Sequence, residues 1–194
     1  MARNAAEPFG NRAALDPSLD PSALRVPFSD KPLAMGGLAM EHYGLRRRGG
    51  DVDFIVSGRD YDALAARYPD HRKDVWGDLG VKVGAIELFR SVFRLDYDYY
   101  AEGSADCGFC LMPSLGRLFF MKAIAYGNRP DVPKHAEDFR LVMGAVIGRR
   151  ENAEYAANAA KHLKAYLAAP EGTIPRGEYE IWENASGETG RGVC

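Results

Sequence analysis

Two short apolar runs, Leu33 to Met35 and Val52 to Val56, enclose a Gly36-Gly37 pair and a segment, Leu38 to Tyr43, that suits a helix. A strand, a glycine turn, a helix and a second strand in so short a span restrict the chain to folds that lay helices on a sheet. The second run, Asp51-Val52-Asp53-Phe54-Ile55-Val56, is rich in β-branched residues, which favour a pleated strand. Ser57 to Asp60 offers caps, and Tyr61 to Tyr68 predicts a helix. β-like runs follow near 81–89 and 92–100, with a further strand within 107–112. Pro113-Ser114 opens a long helix, Leu115 to Tyr126. Residues 134–148 and 151–168 predict two more, the second Ala-rich with helical spacing. The expected fold is α/β or α+β: a mixed sheet, flanking helices and a C-terminal helical subdomain.

A chain of 194 residues favours one domain with appended ends. Residues 1–30 repeat Asp-Pro and Pro-Ser pairs that punctuate against long elements, so they predict a loosely ordered arm with at most a short helix. The α/β core is expected over 31–112 and the helical subdomain over 113–169. Residues 170–194, with Gly and charge, predict a peripheral tail. A net charge of −2 argues against bulk electrostatic capture of nucleic acid and leaves room for a local basic groove. No run of about twenty apolar residues predicts a membrane span. The first residues lack the charged-then-apolar pattern of a signal peptide, so the expected location is cytoplasmic. Cys107 and Cys110 have C-x-x-C spacing, but the histidines at 42, 71, 135 and 162 do not complete a zinc set. With Cys194 the cysteine count is odd, which suits reduced thiols, the first two in a strand.

The chemistry gathers at Asp51-Val52-Asp53. Alternate side chains of a strand share a face, so Asp51 and Asp53 are expected together, with Val52 and Phe54 opposite in the core. Paired carboxylates repel unless a cation or proton lies between them. Magnesium suits such a pair because it takes oxygen ligands and retains waters. The plainer reading of Asp-x-Asp alone is a solvated strand edge. Gly36-Gly37, between an apolar strand and a helix, lets backbone approach a ligand at an end that favours anions, which makes it a candidate phosphate seat; a tight turn is the alternative.

Taken in order, Leu33-Ala34-Met35-Gly36-Gly37-Leu38-Ala39-Met40 and His42-Tyr43-Gly44-Leu45-Arg46-Arg47-Arg48-Gly49-Gly50-Asp51-Val52-Asp53 resemble the DNA polymerase β-like nucleotidyltransferase superfamily. The resemblance is to its small branch related to bacterial abortive-infection and toxin–antitoxin nucleotidyltransferases. That branch carries a Gly-Gly turn, a helix and Gly-h-x-Arg-x-Thr-x-Asp-h-Asp-h, where h is apolar. Gly44, Leu45, Arg47, Asp51, Val52, Asp53 and Phe54 match it, and Gly49 stands where the threonine is expected. Met112 to Ala125 resembles the family's strand end and lysine-bearing helix, with Lys122 as the lysine. Lys134 and Asp138 resemble the Lys-x-x-x-Asp start of the next helix. The matched blocks span roughly 33–142, without 57–80.

The resemblance implies transfer of a nucleoside monophosphate from a magnesium-bound NTP to an acceptor, with release of pyrophosphate. Asp51 and Asp53 would hold magnesium in a two-metal site, Gly36 and Gly37 would meet the phosphates through backbone, and Arg47 and Lys122 would neutralise developing charge. A third acid is expected on a neighbouring strand. Asp96, Glu87 and Asp98 are the candidates, each also readable as a solvated carboxylate or an arginine partner. Lys122, inside an apolar helix, either snorkels to water or pairs with an acid or phosphate; Lys134 and Asp138, one turn apart, could simply pair together. The acceptor, whether small molecule, RNA or protein, is not readable. One rival is a weak or inactive nucleotide- or partner-binding module of the same fold. The other, a haloacid dehalogenase-type phosphatase, also uses Asp-x-Asp but expects Gly-Thr or similar where Phe54-Ile55 stands.

Overall fold

The buried residues Ala34, Phe54, Leu88 and Val81 form one row across four adjacent strands, paired in that order and wholly sequestered from solvent. This row belongs to a seven-stranded mixed sheet in the computed structural model, which describes residues 15–75, 78–92 and 95–148. The strands are β1 (Leu33–Ala34), β2 (Val52–Ile55), β3 (Arg72–Val75), β4 (Asp78–Val83), β5 (Ile86–Phe89), β8 (Ala105–Asp106) and β9 (Leu111–Met112). Their order is β3-β4-β5-β2-β1-β9-β8. β2–β5 and β1–β9 are parallel; the other pairs are antiparallel. A separate two-stranded sheet joins β6 (Ser91–Val92) to β7 (Leu95–Asp96). The helices are α1 (Gly36–His42), α2 (Gly58–Arg67), α3 (Tyr97–Ala101), α4 (Leu115–Asn128) and α5 (Pro133–Ile147). The molecule is therefore mixed α/β, with helices flanking a mixed sheet, as expected.

Several local expectations change. The run 81–89 is not one strand: Gly84, at φ +62°, turns β4 back into β5, a conformation that suits a residue without a side chain. The run 92–100 does not continue as a strand, because Asp96 caps a helix instead. Its carboxylate accepts from the Tyr99 N–H at 3.1 Å, and Tyr97 and Tyr100 are buried by helical spacing. Tyr97 and Tyr99 therefore do not alternate with Asp96 and Asp98 across a sheet. In 107–112 only Leu111–Met112 is strand; Cys107 and Cys110 lie at the turn between β8 and β9, where the Cys107 N–H donates to the Cys110 carbonyl at 2.9 Å. Neither forms a disulfide, and burial pushes the Cys110 thiol up to about 12.

Residues 1–14 of the expected arm lie outside the described residues, and the segment 15–30 docks on the core. Asp16 and Asp20 cap two short 3-10 turns, Pro17–Leu19 and Pro21–Leu24, and Leu19, Leu24 and Val26 enter the core. The buried Asp60 carboxylate accepts from the Ser29 and Asp30 N–H groups at 2.7 and 3.1 Å, and the Tyr68 hydroxyl donates to the Leu24 carbonyl at 2.8 Å. These bonds satisfy backbone groups that a Pro-rich segment cannot pair with itself. Helices α4 and α5 pack on each other and share the same core as the sheet, through Leu118, Ile124, Val142 and Val146. The helix expected over 151–168 and the tail 170–194 lie outside the described residues. Among the described residues, no helix is long and apolar enough to cross a membrane.

Candidate functional site: an acidic row on the sheet

One residue along from the apolar row, the side chains flip to the other face. There Lys82, Glu87 and Asp53 stand in register on β4, β5 and β2. Asp51, two residues before Asp53, reaches the same face, since the Lys82 ammonium lies 2.6 Å from Glu87 Oε1 and 3.2 Å from Asp51 Oδ1. Lys73, on β3, donates to Glu87 Oε2 at 2.8 Å. Three carboxylates and two ammonium groups thus share one end of the sheet. Val52 and Phe54 point the other way and are fully buried, as the alternation predicts.

The carboxylates are not equivalent. Burial pushes Glu87 up, but hydrogen bonds from Lys73 and Lys82 outweigh it and hold its carboxyl below the ordinary glutamate range. Asp53 has no such partner: its carboxylate accepts no hydrogen bond and closes no ion pair among the described residues. Burial raises its pKa first, the neighbouring Glu87 charge second, and Asp51 adds to both; Lys122 and Lys134 pull against them. Of the three carboxylates in the row, Glu87 and Asp51 have lysine partners and Asp53 has none among the described residues.

Gly36 explains how Asp53 is seated. It opens α1 at φ +55°, and a Cβ there would collide with Asp53 Oδ2, so a residue with a side chain would displace the carboxylate. The Met35 N–H donates to the Asp53 carbonyl at 2.9 Å, tying this turn to β2. Gly37 brings α1 against the loop before β2: a Cβ at Gly37 would stand 3.4 Å from Arg48 Cα. Gly36 therefore serves close approach of backbone to the acidic strand, whereas a Cβ at Gly37 would make only an ordinary contact with the loop.

The remaining candidates divide. Arg47 is exposed in that loop, while Arg46 turns inward, 2.5 Å from Asp138 Oδ1 through Nε. Lys122 is 9% exposed and donates to Asp138 Oδ2 at 2.7 Å. Asp138 therefore pairs with Lys122 and Arg46, where pairing with Lys134 was one expectation. Burial lowers the Lys122 pKa, and Asp138 opposes that shift. Of the three candidate third acids, the structure brings only Glu87 into register with Asp53; Asp96 and Asp98 line a separate depression with Ser57, Arg90 and Tyr97. Lys73 and Lys82 were missed. The available signal was Val81-Lys82-Val83, an alternation that sets Lys82 opposite Glu87 once Gly84-Ala85 is read as a hairpin turn.

Asp53 fits a divalent cation, being an unpartnered, half-buried carboxylate beside two other acids. Glu87 is a poor ligand here, because two ammonium groups already neutralise its charge and would repel a dication. Accordingly, among the described residues no group of three His, Cys, Asp or Glu side chains is arranged to hold a metal ion. No protein-family model matches this chain, and no curated protein matches it in sequence.

Proposed function

We propose that the protein transfers a nucleoside monophosphate from a magnesium-bound NTP to an acceptor hydroxyl. The observation that carries this reading is the pairing of Asp53 with Glu87 on adjacent strands while Gly36 holds backbone against the Asp53 carboxylate. A strand edge with no task would not leave a half-buried carboxylate unpaired beside two others, because mutual repulsion and lost hydration both cost free energy.

In this reading Asp53 would hold magnesium, which would supply positive charge to the triphosphate, while Asp51 stands beside it paired with Lys82. The Gly36-Gly37 backbone and Arg47 meet the phosphates. Lys122 and Lys134, whose charges already reach Asp53, add positive potential to the same region. The acceptor oxygen bonds to the α-phosphorus, the bond from that phosphorus to the bridging oxygen breaks, pyrophosphate leaves with the electron pair, and the hydroxyl proton passes to water. Fixed charges around the transferring group are the main source of acceleration in such a reaction.

The test is incubation with each α-labelled NTP, magnesium and a cell extract. Label should pass to an acceptor with the parent chain and not with Asp53→Asn. Magnesium-dependent NTP binding with no transfer to any component would reduce the protein to a nucleotide-binding module. Neither binding nor transfer would end the reading.

A further inference from the structure

Glu87 is the best-neutralised acid of the row and Asp53 the least, although they are register partners on the same face. We propose that the site works with a single divalent cation at Asp53, and that the ammonium groups of Lys73 and Lys82 supply, at Glu87 and Asp51, the charge that a second cation would bring. This rests on the nucleotidyl-transfer reading above.

Three observations carry it. Lys82 is rooted in β4 directly opposite Glu87, and the tight turn at Gly84 fixes that register, so its position follows from the sheet. Its ammonium bridges two of the three carboxylates, at 2.6 Å from Glu87 and 3.2 Å from Asp51. Lys73 takes the other Glu87 oxygen at 2.8 Å. Two ammonium groups together carry the formal charge of one magnesium ion. Two ammonium groups within hydrogen-bond distance of these acids would repel a second dication, which favours retention of the lysines. Asp53 carries no such bonds and is left for the cation.

The experiment counts ions. The full chain is saturated with a nonhydrolysable α,β-methylene triphosphate and titrated with Mn²⁺, and bound Mn²⁺ is measured by electron paramagnetic resonance. The parent should hold one ion per chain. The double variant Lys73→Met/Lys82→Met, if folded by thermal melt, should hold two, because Glu87 and Asp51 are then unneutralised. Two ions on the parent would overturn the proposal and leave the nucleotide reading standing. A folded double variant that still holds one ion would also overturn it. If the parent binds neither analogue nor Mn²⁺, the nucleotide reading has failed and the proposal falls with it. The parent's count decides the matter even where the variant does not fold.

Discussion

Asp53 and Glu87 stand side by side on parallel strands, yet Glu87 is clasped by two lysines while Asp53 touches none. That asymmetry orders what substitutions on this face should do, because removing charge at Asp53 relieves a repulsion whereas removing it at Glu87 releases two cations.

Asp53→Asn should lose magnesium-dependent NTP binding and transfer while the unliganded protein becomes more stable at neutral pH. The sign follows from linkage. The folded-state pKa of Asp53 is raised by burial and by Glu87, so the folded protein holds its proton more tightly than the unfolded chain. Stability then falls as pH rises from the ordinary aspartate range through the folded value, and the amide abolishes that loss. Thermal melts with and without magnesium–NTP check both halves. A variant that retains the ligand-induced rise would remove Asp53 from the site.

Glu87→Gln should impair transfer about as severely as Asp53→Asn, since Lys73 and Lys82 lose their shared anchor. Asp96→Asn and Asp98→Asn should leave it near the parental level. Asp96 caps α3, and asparagine caps a helix about as well as aspartate, so its melting temperature should hardly move. Transfer assays on the three variants in parallel provide the check; equal mild effects would count against the acidic row as a catalytic unit.

Much of this face was legible from residue order. The alternation in Val52-Asp53-Phe54 sets Asp53 opposite a buried pair, and strand periodicity enforces it. Gly36 was legible as a close-approach glycine because it stands between an apolar run and a helix. Which candidate acid neighbours Asp53 was not. That Glu87 and not Asp96 does so follows from the strand order β5-β2, a long-range pairing that local sequence does not encode, while Asp96 also ends a strand, but one in the separate two-stranded sheet. Lys82 was hidden for the same reason. Its partner is fixed by a hairpin at Gly84-Ala85 inside what reads as one β-like run. Segment 15–30 reads as an arm because its prolines interrupt regular structure, while the tie that docks it, Asp60, is distant in sequence.

Lys122→Met should lower stability by about 1–3 kcal/mol, the cost of leaving a buried hydrogen-bonded charge short of one partner. Lys122 and Asp138 are both buried and 2.7 Å apart, and the remaining partner, Arg46, keeps the loss at the lower end of what buried pairs give. The ammonium is committed to Asp138, so most of the melting-temperature rise with magnesium–NTP should survive. Disappearance of that rise would instead assign Lys122 to the phosphates.

Asp138 should make the protein acid-labile. Burial raises its pKa, but the Arg46 hydrogen bond and the Lys122 charge outweigh that, and the folded value lies below the ordinary one. Its contribution is complete above an unfolded value near about 4 and is lost as pH falls through the folded value. Asp138→Asn should therefore melt lower at pH 7 and show a shallower fall in melting temperature between about pH 5 and pH 2. An equally steep fall in the variant would place the acid lability elsewhere.

Gly36 and Gly49 offer a matched test of why glycine occupies this region. Gly36→Ala should destabilise by about 1–2 kcal/mol, the cost of left-handed backbone for a residue with a Cβ. It should also suppress magnesium–NTP binding, because the new methyl would displace the Asp53 carboxylate. Gly49 stands where the resembled family carries threonine. It has no positive φ, and a Cβ there would meet nothing within 4 Å. Gly49→Thr should therefore fold normally and, with a hydroxyl in the loop before Asp51, bind magnesium–NTP more tightly than the parent. Titration of both variants by ligand-induced melting shift separates the roles. If Gly36→Ala binds as the parent does, the close approach at Asp53 is structural. If Gly49→Thr binds no better, the threonine's contact has no counterpart in this loop.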